Sequence, residues 1–357
     1  MKQYRLLVIN PGSTSTKTAV YEGDKELFSE TIRHDHNEIE KYQKIIDQYE
    51  FRSKIIESQL RQKGIELSSL DAVVARGGLL KPIRGGVFEV NEKMISDLKK
   101  AERGEHASNL GAIIARDLAA KIKKPSYIVD PVVVDEMDDI ARLSGLPEID
   151  RISIFHALNQ KATARRAARE LGKKYEDITL IVAHMGGGIT IGAHKKGRVI
   201  DVNNGLNGDG PFSPERTGDL PVSSLVKMCF SGKYTEPEIQ KKIKGKGGLM
   251  AYLNTADARE VEKMVDKGDK KAALIYEAMA YQVAKEIGAL STVLCGKIDG
   301  IVLTGGLAYD KRYIKWITDR VSFLGRVFVY PGEDEMEALR DGGLRVLSGE
   351  ETANGYN

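Results

Sequence analysis

Apolar positions in this chain fall into short unbroken runs separated by polar turns. Leu6-Leu7-Val8-Ile9 is the first run, and four apolar residues without a polar partner predict a strand buried on both faces. A turn containing Pro11 and Gly12 follows, then a second strand over about residues 16–21 and a third after Gly23-Asp24. Residues 179–193 repeat the plan: a buried strand, the turn Gly186-Gly187-Gly188, and a second strand, with a third after Lys195-Lys196-Gly197. Two copies of this pattern predict an internally duplicated chain with two related lobes.

The intervening pattern is mixed. Ile39, Tyr42, Ile45, Ile46, Tyr49, Ile55, Ile56 and Leu60 recur at helical spacing and predict one long helix or two shorter ones, ended by Gly64. Residues 70–75 read as strand, 81–86 as loop, 110–122 as helix and 127–130 as a buried strand closed by a carboxylate. In the second half, 157–171 and 272–294 read as helices, and Asp257-Ala258-Arg259 opens another. Residues 300–309 form a buried strand closed by glycines, and 327–330 form a last strand. Glu333-Asp334-Glu335 then starts a helix to about residue 347 that crosses back onto the first lobe. Strands alternating with helices give the α/β class. The lobes are expected at 1–152 plus 334–357 and at 153–333.

At 357 residues, the chain is too long for one ordinary core and suits two. With 41% hydrophobic and 29% charged residues it reads as globular. Lys plus Arg number 54 against 51 for Asp plus Glu, and a net charge of +3 gives no support for a nucleic-acid partner. Cys229 and Cys295 form no paired framework, so a reducing, cytoplasmic setting is expected. No signal peptide is read at the start, and no apolar run approaches the roughly 20 residues of a membrane helix.

Chemistry concentrates at the turns. Asn10, Ser13, Ser15 and Lys17 supply an amide, two hydroxyls and an ammonium beside Gly12, which lacks the Cβ that would hold a ligand off. Such a set suits the terminal phosphates of a nucleotide, on a hairpin rather than a Walker loop. Alone, a Ser/Thr-rich hairpin is an ordinary turn; the second copy changes that reading. Arg76-Gly77-Gly78 ends a strand, where ligands of α/β sheets lie, although a surface turn explains it too. Asp130, also at a strand end, suits a Mg²⁺ shell or a polarising role as well as a plain turn. His106 reads as a substrate contact or a helix-start residue, the second being favoured. His156 at a helix start would place a hydrogen-bond donor beside an anion site. Residues 205–221 are too long for a simple connection, and Arg216 is that loop's one fixed cation.

Six motifs in order resemble the acetate and butyrate kinase family across nearly the whole chain. They are Asn10-Pro11-Gly12-Ser13-Thr14-Ser15-Thr16-Lys17, Ala75-Arg76-Gly77-Gly78, Ser153-Ile154-Phe155-His156-Ala157-Leu158-Asn159, His184-Met185-Gly186-Gly187-Gly188, Arg216-Thr217-Gly218-Asp219 and Thr304-Gly305-Gly306. The resemblance implies two actin/Hsp70-like, ribonuclease H-like lobes with a nucleotide cleft between them. It implies ATP/ADP and Mg²⁺, a small carboxylic acid and its acyl phosphate, and a homo-oligomer. By position, Asn10, Ser13, Ser15 and Lys17 match the phosphate hairpin, and Arg76 the carboxylate site. Asp130, His156 and Arg216 match the catalytic groups. His184, Gly186, Gly187, Gly188, Asp257, Arg259, Gly305 and Gly306 match nucleotide contacts. The metal falls to Asn10 and the acidic cluster, with Asp334 on an ungapped match and Glu335 beside it. Where acetate kinases resemble N-A-G-S-S-S-L-K and H-L-G-N-G, this chain departs toward the butyrate branch, with a branched-chain (isobutyrate) kinase or an acetate or propionate kinase as the alternatives.

The implied reaction is ATP plus butyrate giving ADP plus butanoyl phosphate, reversibly and by direct in-line transfer. A chaperone-like ATPase of the same superfold would carry a peptide-binding domain, which nothing after residue 347 offers. A sugar kinase would need a base to deprotonate a hydroxyl, and Asp130 is the candidate for that role.

Overall fold

The computed structural model describes residues 3–357. The chain divides into two compact units, Met1–Val134 with Asp334–Asn357, and Asp135–Glu333.

In the first unit β1 (Arg5–Pro11), β2 (Ser15–Glu22) and β3 (Lys25–Arg33) form an antiparallel meander. β4 (Ala72–Arg76) runs parallel to β1, and two further strands extend the sheet: β5 (Val87–Glu89) at the edge and β6 (Ser126–Val129) parallel to β4. The order is β3-β2-β1-β4-β6-β5. Leu7, Ile9, Val73 and Ala75 pack under the helices Tyr49–Gln62 and Asn109–Lys121. The opposite face takes the helix Glu335–Leu347, whose Gly342 and Gly343 approach so closely that a Cβ would lie 2.5 Å from Val129 Cγ2 and 2.6 Å from Val74 Cγ2. An unbroken apolar run is what such two-sided burial requires.

The second unit repeats the plan with β7 (Thr179–Met185), β8 (Ile189–Lys195), β9 (Arg198–Val202), β10 (Gly300–Gly305) and β11 (Val327–Pro331), in the order β11-β10-β7-β8-β9. This matches β6-β4-β1-β2-β3 strand for strand. Even a register shift recurs, between Val20 and Tyr21 in one meander and between Ala193 and His194 in the other. The helix Lys270–Val293 covers one face through Tyr276, Met279 and Val283, and Ala157–Glu170 covers the other through Ala164 and Ala167.

Five stretches differ from the sequence reading. The stripe from Ile39 to Leu60 is broken into a short turn of helix at His36–Ile39, a 3₁₀ turn at Ile45–Gln48 and the helix Tyr49–Gln62. The helices Glu92–Lys100 and Lys311–Val321 and the three-residue β5 were not read at all. Residues 135–152, expected in the first lobe, are tied into the second unit. Lys161 and Glu136 form a buried ion pair at 2.8 Å, the Asp138 N–H donates to the Ile200 carbonyl, and Arg151 reaches Asp201 at 2.9 Å. Among the described residues no helix is long and apolar enough to cross a membrane.

Burial also sets an acid limit. His34 is 8% exposed, its Nε2 lies 2.8 Å from Thr16 Oγ1, and burial with the nearby Arg52 cation pushes its pKa down to about 4. The unfolded chain, with an ordinary histidine near 6.5, binds the extra proton first, so stability falls as pH drops from about 6.5 toward 4, by on the order of 3 kcal/mol from this group. The urea midpoint should be flat above neutrality and fall across that window. His34→Gln should make the fall shallower, and an unchanged slope would assign the acid loss elsewhere.

Candidate active site

The first unit places its candidates at one end of its sheet. Asn10 and Lys17 are cross-strand partners, so their side chains share a face. The turn closes with the Gly12 N–H donating to the Ser15 carbonyl at 2.7 Å, leaving Ser13 and Lys17 exposed and Ser15 half-buried. Arg76 ends β4, and its Nη1 contacts Glu335 Oε1 at 3.0 Å, while Asn10 Nδ2 donates to Glu335 Oε2 at 2.6 Å. Within the acidic cluster, Glu335 is the carboxylate brought to Asn10. Asp334 is exposed, sits in the left-handed region at φ 43°, and precedes the helix.

Asp130 follows Val129, the register partner of Arg76, and so lies at the same sheet end. It is buried at φ 37°, and its Oδ1 accepts the Gly86 N–H at 2.6 Å. A non-glycine residue held there is strained, as functional positions often are. His106 accepts the Ser108 N–H just before the helix Asn109–Lys121, in keeping with a helix-start role.

A buried arginine that the sequence did not single out holds this hairpin together. Arg52, 1% exposed, donates from Nη1 to the Gly12 carbonyl at 2.8 Å and from Nη2 to the Ser13 carbonyl at 3.0 Å. Gln48 Oε1 accepts from the same guanidinium at 2.8 Å. Burial lowers its pKa to about 10, so it stays charged at neutral pH. By engaging both carbonyls, Arg52 fixes the turn's peptide planes.

In the second unit the glycine turn meets the long loop. A Cβ on Gly188 would lie 2.5 Å from Arg216 Cζ, so the guanidinium rests directly on the turn. Arg216 Nη1 donates to the Gly205 carbonyl, Ser213 Oγ donates to the Gly187 carbonyl at 2.7 Å, and the Gly186 N–H donates to the Gly188 carbonyl at 3.0 Å. Burial lowers the Arg216 pKa, partly opposed by Glu215, and its Nε is buried without a partner. An anion placed there would meet an unspent donor.

His156 precedes the helix Ala157–Glu170 and stacks on His184 with ring centroids 3.8 Å apart. Gly305, at φ 93°, lies against Met185 at the same end of the sheet, because Thr304 pairs with His184, and Gly306 follows it. His156, His184, Gly186–Gly188, Arg216 and Gly305–Gly306 therefore converge. Asp257 and Arg259 bind each other instead, with Arg259 Nη2 2.6 Å from Asp257 Oδ2, which holds the Asp257 pKa down at about 2.

Among the described residues no group of three His, Cys, Asp or Glu side chains could enclose a metal. Asn10 and Glu335 still fit Mg²⁺, which is commonly held by one carboxylate plus phosphates and water.

Arg52→Met should open the first hairpin. If this hairpin holds a nucleotide's phosphates, as the resemblance implies, the Michaelis constant for that nucleotide should rise about tenfold or more, from the loss of charge-assisted bonds, with that for a second substrate changing far less. Equal effects on both substrates would mean general damage.

The Acetokinase family's sequence profile matches residues 149–328. Butyrate kinase 1 of Clostridium acetobutylicum is 60% identical over 353 residues, covering 99% of each chain. Among solved structures, acetate kinase of Porphyromonas gingivalis superposes with a TM-score of 0.81 at 20% identity, over 96% of this chain and 100% of that one. A propionate kinase of Francisella tularensis gives 0.74 at 19% identity, over 95% and 98%. A ROK family protein of Streptococcus pneumoniae shares the fold more distantly, with a TM-score of 0.53 at 10% identity over 97% and 99%.

Proposed function

The chain belongs to the acetokinase family, whose members are ATP-dependent carboxylate kinases, and from that premise we propose that it phosphorylates butyrate to butanoyl phosphate, reversibly. The observation that carries the acyl choice is the 60% identity to a butyrate kinase across 99% of both chains. Branched-chain acids are the second reading, because short aliphatic acids differ only by methyl groups that a pocket separates weakly.

A carboxylic acid with a pKa of about 4 is already ionised at neutral pH and needs no general base. The barrier is the approach of two anions and the charge on the moving phosphoryl oxygens, so positioning and electrostatics dominate. Arg76 holds the carboxylate, sharing its guanidinium with Glu335. Arg216 and His156 bear the phosphoryl charge, and Asp130 polarises the site at the sheet end. Ser13, Ser15 and Lys17 hold the nucleotide's terminal phosphates. His184, Gly186, Gly187 and Gly188 contact the nucleotide, and Gly305 and Gly306 back the nucleoside. Asp257 and Arg259 reach the nucleotide once their mutual pairing opens. Asn10 and Glu335 would hold Mg²⁺, which when bound neutralises phosphate charge. Exposed thiols at Cys229 and Cys295 suit a reducing cytoplasm.

Hydroxylamine trapping of acyl phosphate across straight and branched acids should give the highest kcat/KM with butyrate. A sugar phosphorylated in preference to every acid would overturn the reading. Arg216→Ala should cut turnover by about three to five orders of magnitude, as loss of a catalytic arginine does. Arg76→Ala should instead raise the Michaelis constant for the acid roughly ten- to a hundredfold and spare that for ATP.

Association of copies is part of the same proposal. The helix Val222–Cys229 buries none of its residues, and Val222 and Phe230 are 74% and 87% exposed. A second copy of the chain covers this apolar face. Sedimentation should show an oligomer that Phe230→Asp weakens, whereas a wild-type monomer would refute the association.

A further inference from the structure

In the proposed reaction His156 meets the phosphoryl group, and next to that residue lies a chain of wholly or nearly wholly buried polar groups. Tyr175, His194, Gln160 and Thr190 are 4%, 0%, 0% and 0% exposed. They link end to end and finish on His156 Nδ1. Buried polar groups in the middle of a sheet cost stability unless every one is matched, so the order of donors and acceptors along the chain carries information.

Hydrogen positions follow from the groups that can act in only one sense. Gln160 Nε2 lies 2.9 Å from the Thr190 carbonyl, which can only accept, so the amide orientation is fixed. Gln160 Oε1 then faces His194 Nε2 at 3.0 Å, and that nitrogen must donate. His194 is kept neutral by burial and by the Lys161 and Arg165 cations. Its Nδ1 is therefore an acceptor and takes the Tyr175 hydroxyl proton at 2.8 Å. At the other end, Thr190 Oγ1 receives the second Gln160 N–H at 2.9 Å and the His156 backbone N–H at 3.4 Å. Both lone pairs are then used, and the hydroxyl proton points to His156 Nδ1 at 2.9 Å.

The neighbouring residue does the opposite. Asn159 Nδ2 donates to the Glu333 carbonyl at 2.9 Å, so Asn159 Oδ1 faces His184 Nδ1 at 2.8 Å and that nitrogen must donate. His184 Nε2 faces the Glu333 carboxylate at 3.8 Å. Two consecutive amides on one helix thus set two stacked imidazoles in opposite senses.

We propose that Thr190 and Gln160 are positioning residues that hold neutral His156 with its proton on Nε2, so that the ring meets the phosphoryl oxygens as a hydrogen-bond donor without needing to be charged, while Asn159 holds His184 with its proton on Nδ1. The catalytic part of this proposal rests on the reading of His156 as a phosphoryl contact. A donor fixed in advance carries no reorganisation cost as charge develops. It also keeps a second positive charge off a ring stacked against another histidine.

The test is long-range ¹H–¹⁵N correlation of the ¹⁵N-histidine-labelled full chain at neutral to mildly alkaline pH. Assignments come from His156→Gln and His184→Gln. Neutral His156 should show a protonated Nε2 and a bare Nδ1, and His184 a protonated Nδ1. A wild-type His156 protonated on Nδ1 overturns the proposal, whatever any variant does. Thr190→Val, which removes the hydroxyl at nearly constant shape, should shift His156 toward the other tautomer. It should lower kcat about ten- to a hundredfold while both Michaelis constants stay within about twofold. Thr190→Ser, which keeps the hydroxyl, should restore both readouts. A Thr190→Val enzyme with the wild-type tautomer and a depressed kcat would show that Thr190 acts only structurally, and overturns the relay. Full turnover in His156→Gln would instead refute the catalytic role of His156, an outcome separate from the tautomer measurement.

Discussion

Each unit presents a hairpin turn whose backbone carbonyls are held by side chains from elsewhere in the same unit. The two units do so by different chemistry. In the first unit a buried guanidinium, Arg52, gathers the carbonyls of Gly12 and Ser13. In the second, Ser213 takes the Gly187 carbonyl, and Arg216 lies on Gly188 in the space a side chain would fill. A turn with unsatisfied carbonyls would reorganise around water or repel an anion, so the bracing is what the proposed phosphate site requires. Much of the surrounding architecture, including the two-sided burial of β1 and β7, keeps these turns at fixed heights above their sheets.

The two solutions differ in what they ask of the arginine. Arg52 is wholly engaged with protein carbonyls and with Gln48, so its charge is spent on structure. Arg216 keeps a buried Nε without a partner, so part of its donor set remains to be used. Arg76 lies between these cases, since Glu335 already occupies one of its amino groups. In the role proposed for Arg76, the substrate carboxylate would meet a cation already positioned by Glu335, which favours orientation over raw attraction.

The sequence was most legible where pattern and structure share a period. The two strand–turn–strand copies and the crossing helix at residues 335–347 follow from apolar runs and glycines, and their duplication extends to matching register shifts. β5 was invisible because three residues cannot show alternation. The helix Lys311–Val321 did carry a signal, with Tyr313, Ile317 and Val321 four apart after the capping Asp310. Of the site, single residues in motifs were legible, whereas partnerships were not. Nothing in the spacing says that Arg52, inside an amphipathic helix, turns inward to a loop forty residues earlier in the chain. Nor does it say that Asp257 and Arg259 bind each other. The pairing of Gln160 with Thr190 across thirty residues is equally silent, because hydrogen-bond direction is a property of three-dimensional neighbours.

The first unit is built from both ends of the chain, whereas the second is one continuous segment. Gly342 and Gly343 cover Val129 and Val74, so one face of the first sheet has no partner until the final helix has been made. During synthesis the nascent chain therefore carries an uncovered apolar sheet surface through the whole translation of the inserted unit. That inserted unit has all of its own strands in hand as soon as β11 emerges, and completes first. Order of assembly is thereby written into the topology: the lobe begun earliest is the one finished last, and ribosomes stalled short of the last helix would release chains with a folded second unit and an aggregation-prone first one.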